Sequence, residues 1–538
     1  MRYGFVIDQT TCIGCHACTV ACKTEHQVPL GVNRTWVKYV EQGVWPDTKR
    51  SFSVMRCNHC SDAPCVTICP TSALFKRGDG IVDFDTSRCI GCKSCMQACP
   101  YDALYIDPDE HTAQKCNYCA HRVEVGIEPA CVVVCPEQAI VAGDLDDPTT
   151  RIAQMVAAGD LTQRAVERGT SPNLWYKGAQ SVNIEPLAAA RTTDGGMWRD
   201  PKDMEQSWLS IDLTTDAAGR RTGVNAAGSV AHDDAGAPRV VYANDFPMPW
   251  GWRVSSYFLT KAMSAGIAIA AAMAILFGAS MESMWIRLTA PLVGGLLLLL
   301  TGVLLITDLK RPDRFYYLLT RGNPSSWLVR GTWILTAQAA GFAVWFLAAL
   351  GGFPDLARVA IWLSAFVGLG TAGYTAYLFA QAKGRVLWGS PLLVWHMIAA
   401  AFAVGGGVSL IASLFSTTRT VAPAFAPLTT ATVPTGTFAF ALTMLLGALG
   451  LAMIAALERG FAHDPGADLA FHHMTQGEFA TRYRAGLVMA IVLPALAGVA
   501  VLSGAPVIFG AIGGLSAMIG VWLLDDAFVQ AGQSVPLT

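Results

Sequence analysis

The chain has 538 residues, 53% of them apolar and 14% charged, and 38 basic against 40 acidic residues leave a formal net charge of −2. A balance this close to neutral gives nothing to suggest a nucleic-acid binder. The length asks for two or more domains, so the 16 cysteines do not describe a small disulfide scaffold, which belongs to short, loop-rich chains.

In chain order, MRYGFVIDQT shows no basic n-region, apolar h-region or twin arginine, so no secretory signal is expected on this chain. YGFVID alternates as a short strand. All sixteen cysteines follow between Cys12 and Cys135, in four groups: Cys12, Cys15, Cys18, Cys22; Cys57, Cys60, Cys65, Cys69; Cys89, Cys92, Cys95, Cys99; and Cys116, Cys119, Cys131, Cys135. The first and third read C-x2-C-x2-C-x3-C, the spacing that holds cubane iron–sulfur clusters, and four thiolates per cluster leave none over. Structural zinc and disulfides are the weaker alternatives. An internal repeat supports two ferredoxin-like units in tandem: DQTTCIGCHACTVACK (Asp8–Lys23) echoes DTSRCIGCKSCMQACP (Asp85–Pro100), and MRCNHC (Met55–Cys60) echoes KCNYC (Lys115–Cys119). Cys69, Cys99 and Cys135 precede proline and a short predicted helix start, whereas Cys22 precedes Lys23. Ile13, Val20, Val66, Ile68, Ile90, Met96, Val132 and Val133 are expected to screen the clusters, and assembly and folding to be one event.

This pattern resembles the electron-transfer subunit of the molybdopterin oxidoreductase complexes, the family of dimethyl-sulfoxide, polysulfide, nitrate and formate enzymes, over about residues 1–145. The resemblance implies crossed ligation: Cys12, Cys15, Cys18 with Cys135; Cys22 with Cys116, Cys119, Cys131; Cys57, Cys60, Cys65 with Cys99; Cys69 with Cys89, Cys92, Cys95. Some relatives replace one cysteine and hold a 3Fe–4S cluster. No group here lacks its cysteine, so four 4Fe–4S clusters are expected.

Residues 144–250 mix charge, Gly, Ala and Pro with weak periodicity. RIAQMVAAGDLTQRAVERG (Arg151–Gly169) reads as one amphipathic helix and a turn, and the remainder, including GRRTGVNAAGSVAHDDAGAP, as loop. Trp175, Trp198 and Trp208 favour a partner-contact pad over a tether. His232 with Asp233 and Asp234 reads as a solvated loop rather than a metal site.

Beyond Trp250, apolar runs long enough to cross a bilayer recur at Ser255–Ala279, Met284–Asp308, Trp327–Leu350, Leu356–Ala380, Pro391–Phe415, Phe438–Leu457, Gly486–Val501 and Pro506–Leu524. The last two are short, and Pro494 is expected to kink one. Trp250, Trp252 and Tyr257 are placed for an interfacial anchor. The predicted fold class is an α+β tandem ferredoxin-like iron–sulfur domain followed by an all-α eight-helix transmembrane domain. Its predicted divisions are 1–143 (clusters), 144–250 (connector) and 251–538 (anchor). Basic residues favour the face from which the first span departs: Arg253, Lys310, Arg311, Arg314, Arg321, Lys383, Arg385, Arg459, Arg482 and Arg484, against Arg287, Arg358 and Arg419. The positive-inside rule then puts the clusters on the cytoplasmic face of a prokaryotic inner membrane. Co-export with a signal-bearing partner, giving a periplasmic face, is the alternative.

WGWRVSSYFLTK (Trp250–Lys261), DLKRPDRFYYLLTRGNPSSWLVRG (Asp308–Gly331) and the eight spans resemble the NrfD-like or DmsC-like quinone-reactive anchors of the same complexes. Ionisable residues inside spans are functional candidates: Lys261, Asp308, Tyr374, Tyr377 and His396 converge on one face by topology. Each has a plainer reading, as a snorkelling lysine, a helix cap or ion pair, packing tyrosines and a core histidine. The resemblance places quinone-proximal groups on the first, second and fourth spans, which favours Lys261, Asp308, Tyr374 and Tyr377. His396 is the one intramembrane histidine, with His463, His472 and His473 assigned to a loop, so no haem is expected. No chain of buried acids is visible, so proton pumping is unsupported. The expected role is an electron-transfer and anchor subunit that links a separate molybdopterin-containing catalytic subunit to membrane menaquinone or ubiquinone. A stand-alone ferredoxin:quinone oxidoreductase and a cluster-stapled adaptor are the rivals.

Overall fold

The structure, a computed structural model, describes residues 1–538 apart from 45, 192–213, 216–220, 225–229, 233–235, 245–246, 416–419, 422–432, 459 and 461–463. Trp198, Trp208, Asp233, Asp234, Arg419, Arg459 and His463 therefore lie outside the described residues. The chain divides into two compact units. The first comprises Met1–Met248, Ala382–Arg385 and Gln533–Thr538, and the second Pro249–Gln381 and Val386–Gly532.

In the first unit, the alternating apolar opening forms a strand, Tyr3–Asp8, at the centre of a three-stranded sheet. It pairs antiparallel with Ile140–Asp144 and parallel with Leu174–Lys177. Val6 on one face joins Val141 and Ile152 in a small core that also takes in Trp175. A second sheet sets Thr35–Gln42 between Lys49–Arg56 and Arg239–Tyr242, with Trp36 opposite Met55. Two short hairpins, Leu74–Lys76 with Val82–Phe84 and Leu104–Ile106 with Ala113–Lys115, follow the second and third cysteine groups.

Residues 144–250 thus contribute strands to both sheets, which weak periodicity did not reveal because strands of four residues carry little pattern. The helix expected over Arg151–Gly169 is shorter: it runs from Arg151 to Ala157, capped by Thr150, whose hydroxyl accepts from the Ala153 N–H. Gly159, at φ +81°, stops it, and only a three-residue 3₁₀ turn, Val166–Arg168, follows. Part of the run expected as loop holds antiparallel strands, Arg221–Val224 with Val230–His232.

The second unit contains eight helices long and apolar enough to cross a membrane: Trp252–Leu276, Trp285–Asp308, Trp327–Leu350, Pro354–Ala380, Leu393–Ser413, Thr435–Glu458, Ala480–Leu502 and Val507–Ser534. The first is the hub, packing against the second, fourth and fifth. Close approach needs small residues: a Cβ on Gly266 would lie 2.0 Å from the Ala401 carbonyl oxygen and 2.7 Å from the Gly405 Cα.

Both late spans are longer than the hydropathy runs. The seventh passes through a π turn at Val488–Val492, just before Pro494. The Ser516 hydroxyl donates to the Met489 carbonyl at 2.9 Å, which satisfies a backbone group that the irregular turn releases. The eighth continues to Ser534 beyond two acids, Asp525 and Asp526, where an apolar window stops but the helix does not. The aromatic anchor is also corrected. Trp252 is exposed, but Tyr257 is buried and Trp250 stacks on Trp388 with ring centres 5.3 Å apart, so both serve internal packing. His472 and His473 lie on a helix, Pro465–Thr475, rather than in a loop.

Candidate functional site

The cysteine loops use one backbone device repeatedly. Gly14 and Gly91, second after the first cysteine of their groups, have φ of +71° and +68°, and His59 and Tyr118 stand at the same offset with φ of +44° and +63°. In this left-handed turn the residue's own N–H faces back onto sulfur: Gly91 N–H donates to Cys89 Sγ at 3.4 Å and His59 N–H to Cys57 Sγ at 3.5 Å. After each Cys-Pro pair a second such residue follows, Ser72, Asp102 or Gln138. The chain then enters a strand rather than the expected helix, with Leu74 N–H on Cys69 Sγ at 3.5 Å and Ala139 N–H on Cys135 Sγ at 3.3 Å. Sulfur draws the backbone round it, and that turn is incompatible with a helix start.

The thiols come together in crossed sets. Cys12 has Cys135 and Cys15 as its thiol neighbours, and Cys12, Cys15, Cys18 and Cys135 line one cavity. Cys22 is surrounded by Cys116, Cys131 and Cys119. Cys65 meets Cys99, Cys57 and Cys60, and Cys95 meets Cys92, Cys89 and Cys69. Charge interactions between sets order them in a line: Cys18 feels Cys131, Cys116 feels Cys57, and Cys95 feels Cys65.

Burial first, then neighbouring thiols, pushes Cys18 up to about 11 and Cys60 up to about 12, so these thiols stay protonated near neutrality unless a cation compensates. Bound iron would supply that charge. Orphaned buried donors point the same way. Among the described residues, Arg56 Nε and Nη2 and His59 Nε2, all beside cysteines, lack a hydrogen-bond partner. The donor chemistry, the cavity and the orphaned donors fit 4Fe–4S clusters, and sixteen cysteines in four sets are consistent with four of them.

The cysteine lacking a following proline has a local cause. The helix carrying Cys18 and Cys22 runs from Ala17 to His26, whereas those before Cys69 and Cys99 have five residues each. A proline at position 23 would interrupt that longer helix. Lys23 instead donates from Nζ to the carbonyls of Pro29 at 3.0 Å and Val32 at 2.6 Å, tying down the following loop. The extra turn also brings His26 Nε2 within 3.2 Å of Cys119 Sγ.

The apolar screen divides in two. Ile68, Ile90 and Met96 are buried and Val66 and Val132 half-buried, but Ile13, Val20 and Val133 are exposed around the first set, where Cys15 is exposed as well.

In the second unit, Lys261 is 1% exposed and does not snorkel. Its ammonium donates to the Thr375 hydroxyl and lies 4.7 Å from the centre of the Tyr374 ring and 5.9 Å from that of Tyr257. Asp308 is half-buried and acts on Tyr257 through its charge. Tyr377 does not join them. Three residues along a helix leave two side chains about 60° apart, and Tyr377 is 47% exposed, stacked on Trp327 at 4.5 Å.

The eighth span carries two acids, Asp525 and Asp526, that the apolar runs do not include. Asp525 lies in the electrostatic field of Lys261, and its Oδ1 is 3.3 Å from His396 Nε2. Asp526 accepts from the Ser255 hydroxyl at 2.9 Å and from Arg482 at 2.7 Å. His396 and Glu458 line one cavity, and Glu458 and Asp464 line a second. The available signal was a pair of acids directly abutting an apolar run.

These features define a class, an iron–sulfur electron-transfer protein joined to a multi-pass membrane domain. Two 4Fe-4S dicluster domain models match residues 11–74 and 48–145, and the model described as polysulphide reductase, NrfD, matches residues 241–535. The protein belongs to the NrfD polysulphide reductase family, here carrying its iron–sulfur domains in the same polypeptide. Its first part is similar to the B subunit of tetrathionate reductase from Salmonella typhimurium, 44% identical over 35% of this chain and 76% of that protein. It is likewise similar to a putative dimethyl sulfoxide reductase iron-sulfur B subunit of Halobacterium salinarum, 37% identical over 41% of this chain and 91% of that one. The B component of polysulfide reductase from Wolinella succinogenes is 40% identical over 34% and 98%. The protein is therefore an iron–sulfur electron-transfer subunit with an NrfD membrane anchor, related to reductase B subunits.

Proposed function

We propose that the chain passes electrons between membrane quinone and a separate molybdopterin-containing catalytic subunit. The observation that carries this is the joining, in one polypeptide, of four cysteine sets ordered in a line to a buried Lys261–Tyr374 group within membrane spans. Each crossed set would ligate one 4Fe–4S cluster, and four clusters would supply one-electron carriers at successive points. The exposed Ile13, Val20 and Val133 around the first set suit a docking surface for the catalytic subunit.

Quinol oxidation breaks two O–H bonds and releases two electrons and two protons. Lys261, Asp308 and Tyr374 are assigned to bind and orient the quinone oxygens, with Asp525 and His396 as proton acceptors behind Lys261. The same groups run in reverse for quinone reduction. Tyr377, on the outer face, is not assigned to the site.

The test is anaerobic reduction of the full-length chain's clusters by menaquinol or ubiquinol. Lys261→Ala and Asp308→Asn are expected to abolish it while chemically reduced cluster EPR persists. Unchanged reduction in both variants overturns the quinone site. A stoichiometric molybdopterin-containing subunit on purification separates this reading from a stand-alone ferredoxin:quinone oxidoreductase, which would lack one.

A further inference from the structure

We propose that Arg56 is a positioning residue that sets the reduction potentials of the first two clusters, those of Cys12, Cys15, Cys18, Cys135 and of Cys22, Cys116, Cys119, Cys131. The proposal rests on the cluster reading above. Arg56 ends the strand Lys49–Arg56 and immediately precedes Cys57, yet its side chain hydrogen-bonds a sulfur of a different set. The residue is fully buried. Nη1 donates to Cys131 Sγ at 3.0 Å, and the guanidinium carbon lies 4.6 Å from the centre of the Phe5 ring. The charges that act on it are the sulfurs of Cys131, Cys116 and Cys18. Those three cysteines belong to two different sets, so one cation sits between two cluster sites.

Burying a guanidinium is costly unless anions and hydrogen bonds compensate it. Among the described residues Arg56 has no carboxylate ion pair, and Nε and Nη2 are without any hydrogen-bond partner. Aromatic stacking on Phe5 uses the face of the group and leaves these edge donors unanswered. Thiolate and sulfide sulfur at the two neighbouring sites provide both missing elements, negative charge and acceptors. Reduction of a cluster adds one negative charge beside a fixed cation, which favours the reduced form, and hydrogen bonds to sulfur act in the same direction. Arg56 therefore holds the first two clusters at higher potential than they would have without it. The third and fourth sets lie further along the line and do not share this cation's hydrogen bond.

The experiment compares the full-length protein with Arg56→Gln, which keeps N–H donors and removes the charge, and Arg56→Lys, which keeps the charge and removes the planar fork. Iron and sulfide are assayed first, then each midpoint potential by EPR-monitored redox titration. Arg56→Gln is expected to lower two of four potentials, with at least a tenfold fall in the reduced-to-oxidised ratio at fixed potential, about 59 mV for one electron. The other two should stay in place, and Arg56→Lys should remain near the parent. Four unchanged potentials in iron-replete Arg56→Gln overturn the proposal and leave Arg56 as packing. Equal loss of iron from both variants overturns it too, because a cation alone would then not suffice. Iron in the parent protein falling short of four per set would instead remove the cluster reading itself.

Discussion

Lys38 shows how one side chain can work against the stability of its own sheet. It is fully buried in the strand Thr35–Gln42, and its ammonium donates to the Asn183 carbonyl at 3.4 Å. Burial, with Arg164 and Arg191 adding like charge, lowers it to about 7 from its ordinary 10.5. The folded form then binds fewer protons than the unfolded form between about pH 7 and 10.5, so stability rises with pH across that window. Below pH 7 the protonated lysine destabilises the fold by an amount on the order of a few kcal/mol. Lys38→Met is expected to raise the temperature at which cluster absorbance bleaches at pH 6 and to change it little at pH 10. An equal gain at both pH values would mean that packing, not charge, is responsible.

Asp525 acts on Lys261 through its charge and approaches His396 Nε2 at 3.3 Å. A positioned proton acceptor contributes about 10²–10⁴ in rate. Asp525→Asn should therefore slow quinol-dependent cluster reduction about a hundredfold or more and change its pH profile, with reduction by dithionite unaffected. A rate that fell without any change in pH profile would make Asp525 structural. This residue was illegible in the sequence for a specific reason. Hydropathy closes the apolar run at Leu524, and only the helix, carried on to Ser534, turns the next residue inward. The cysteines were legible because cluster spacing is local. The partners of Cys22 and Cys135 lie about a hundred positions away, so resemblance rather than spacing supplied them.

Among elements, glycine contacts set the distances between spans. Gly266 on the first meets Gly405 on the fifth, and Gly407 on the fifth meets Gly514 on the eighth, with a Cβ on Gly407 only 2.6 Å from the Gly514 Cα. Backbone lies against backbone there, so a larger side chain cannot be accommodated by rotation. Gly405→Leu should push the first span from the fifth, cost several kcal/mol by overpacking, on the order of 1–3 or more, and yield aggregated protein on size exclusion in mild detergent. Gly295→Leu, on the second span where a Cβ meets nothing within 4 Å, should remain monodisperse. The span count was readable from apolar length alone. Span ends were not, because a π turn and two acids break the hydropathy signal without breaking the helix.

At the scale of the whole molecule, we propose that loop charge sets the membrane orientation of the cluster domain, toward the cytoplasm. Ten basic residues flank the spans on the face from which the first span departs and three on the other. Four of the ten, Lys310, Arg311, Arg314 and Arg321, cluster in one loop, where Arg311 and Arg314 also pair with Asp313. Replacing all four by Gln leaves six against three, so the bias persists and orientation should be unchanged, since Lys and Arg rather than net charge set topology. A protease-sensitive tag on the N-terminus is the readout. It should resist protease added to right-side-out vesicles and be cleaved in inverted ones, in the parent and in the fourfold variant alike. Cleavage of the parent's tag in right-side-out vesicles would mean that a signal-bearing partner overrides the chain's own charges and carries the clusters outward. Inversion in the variant alone would locate the topogenic signal in that single loop.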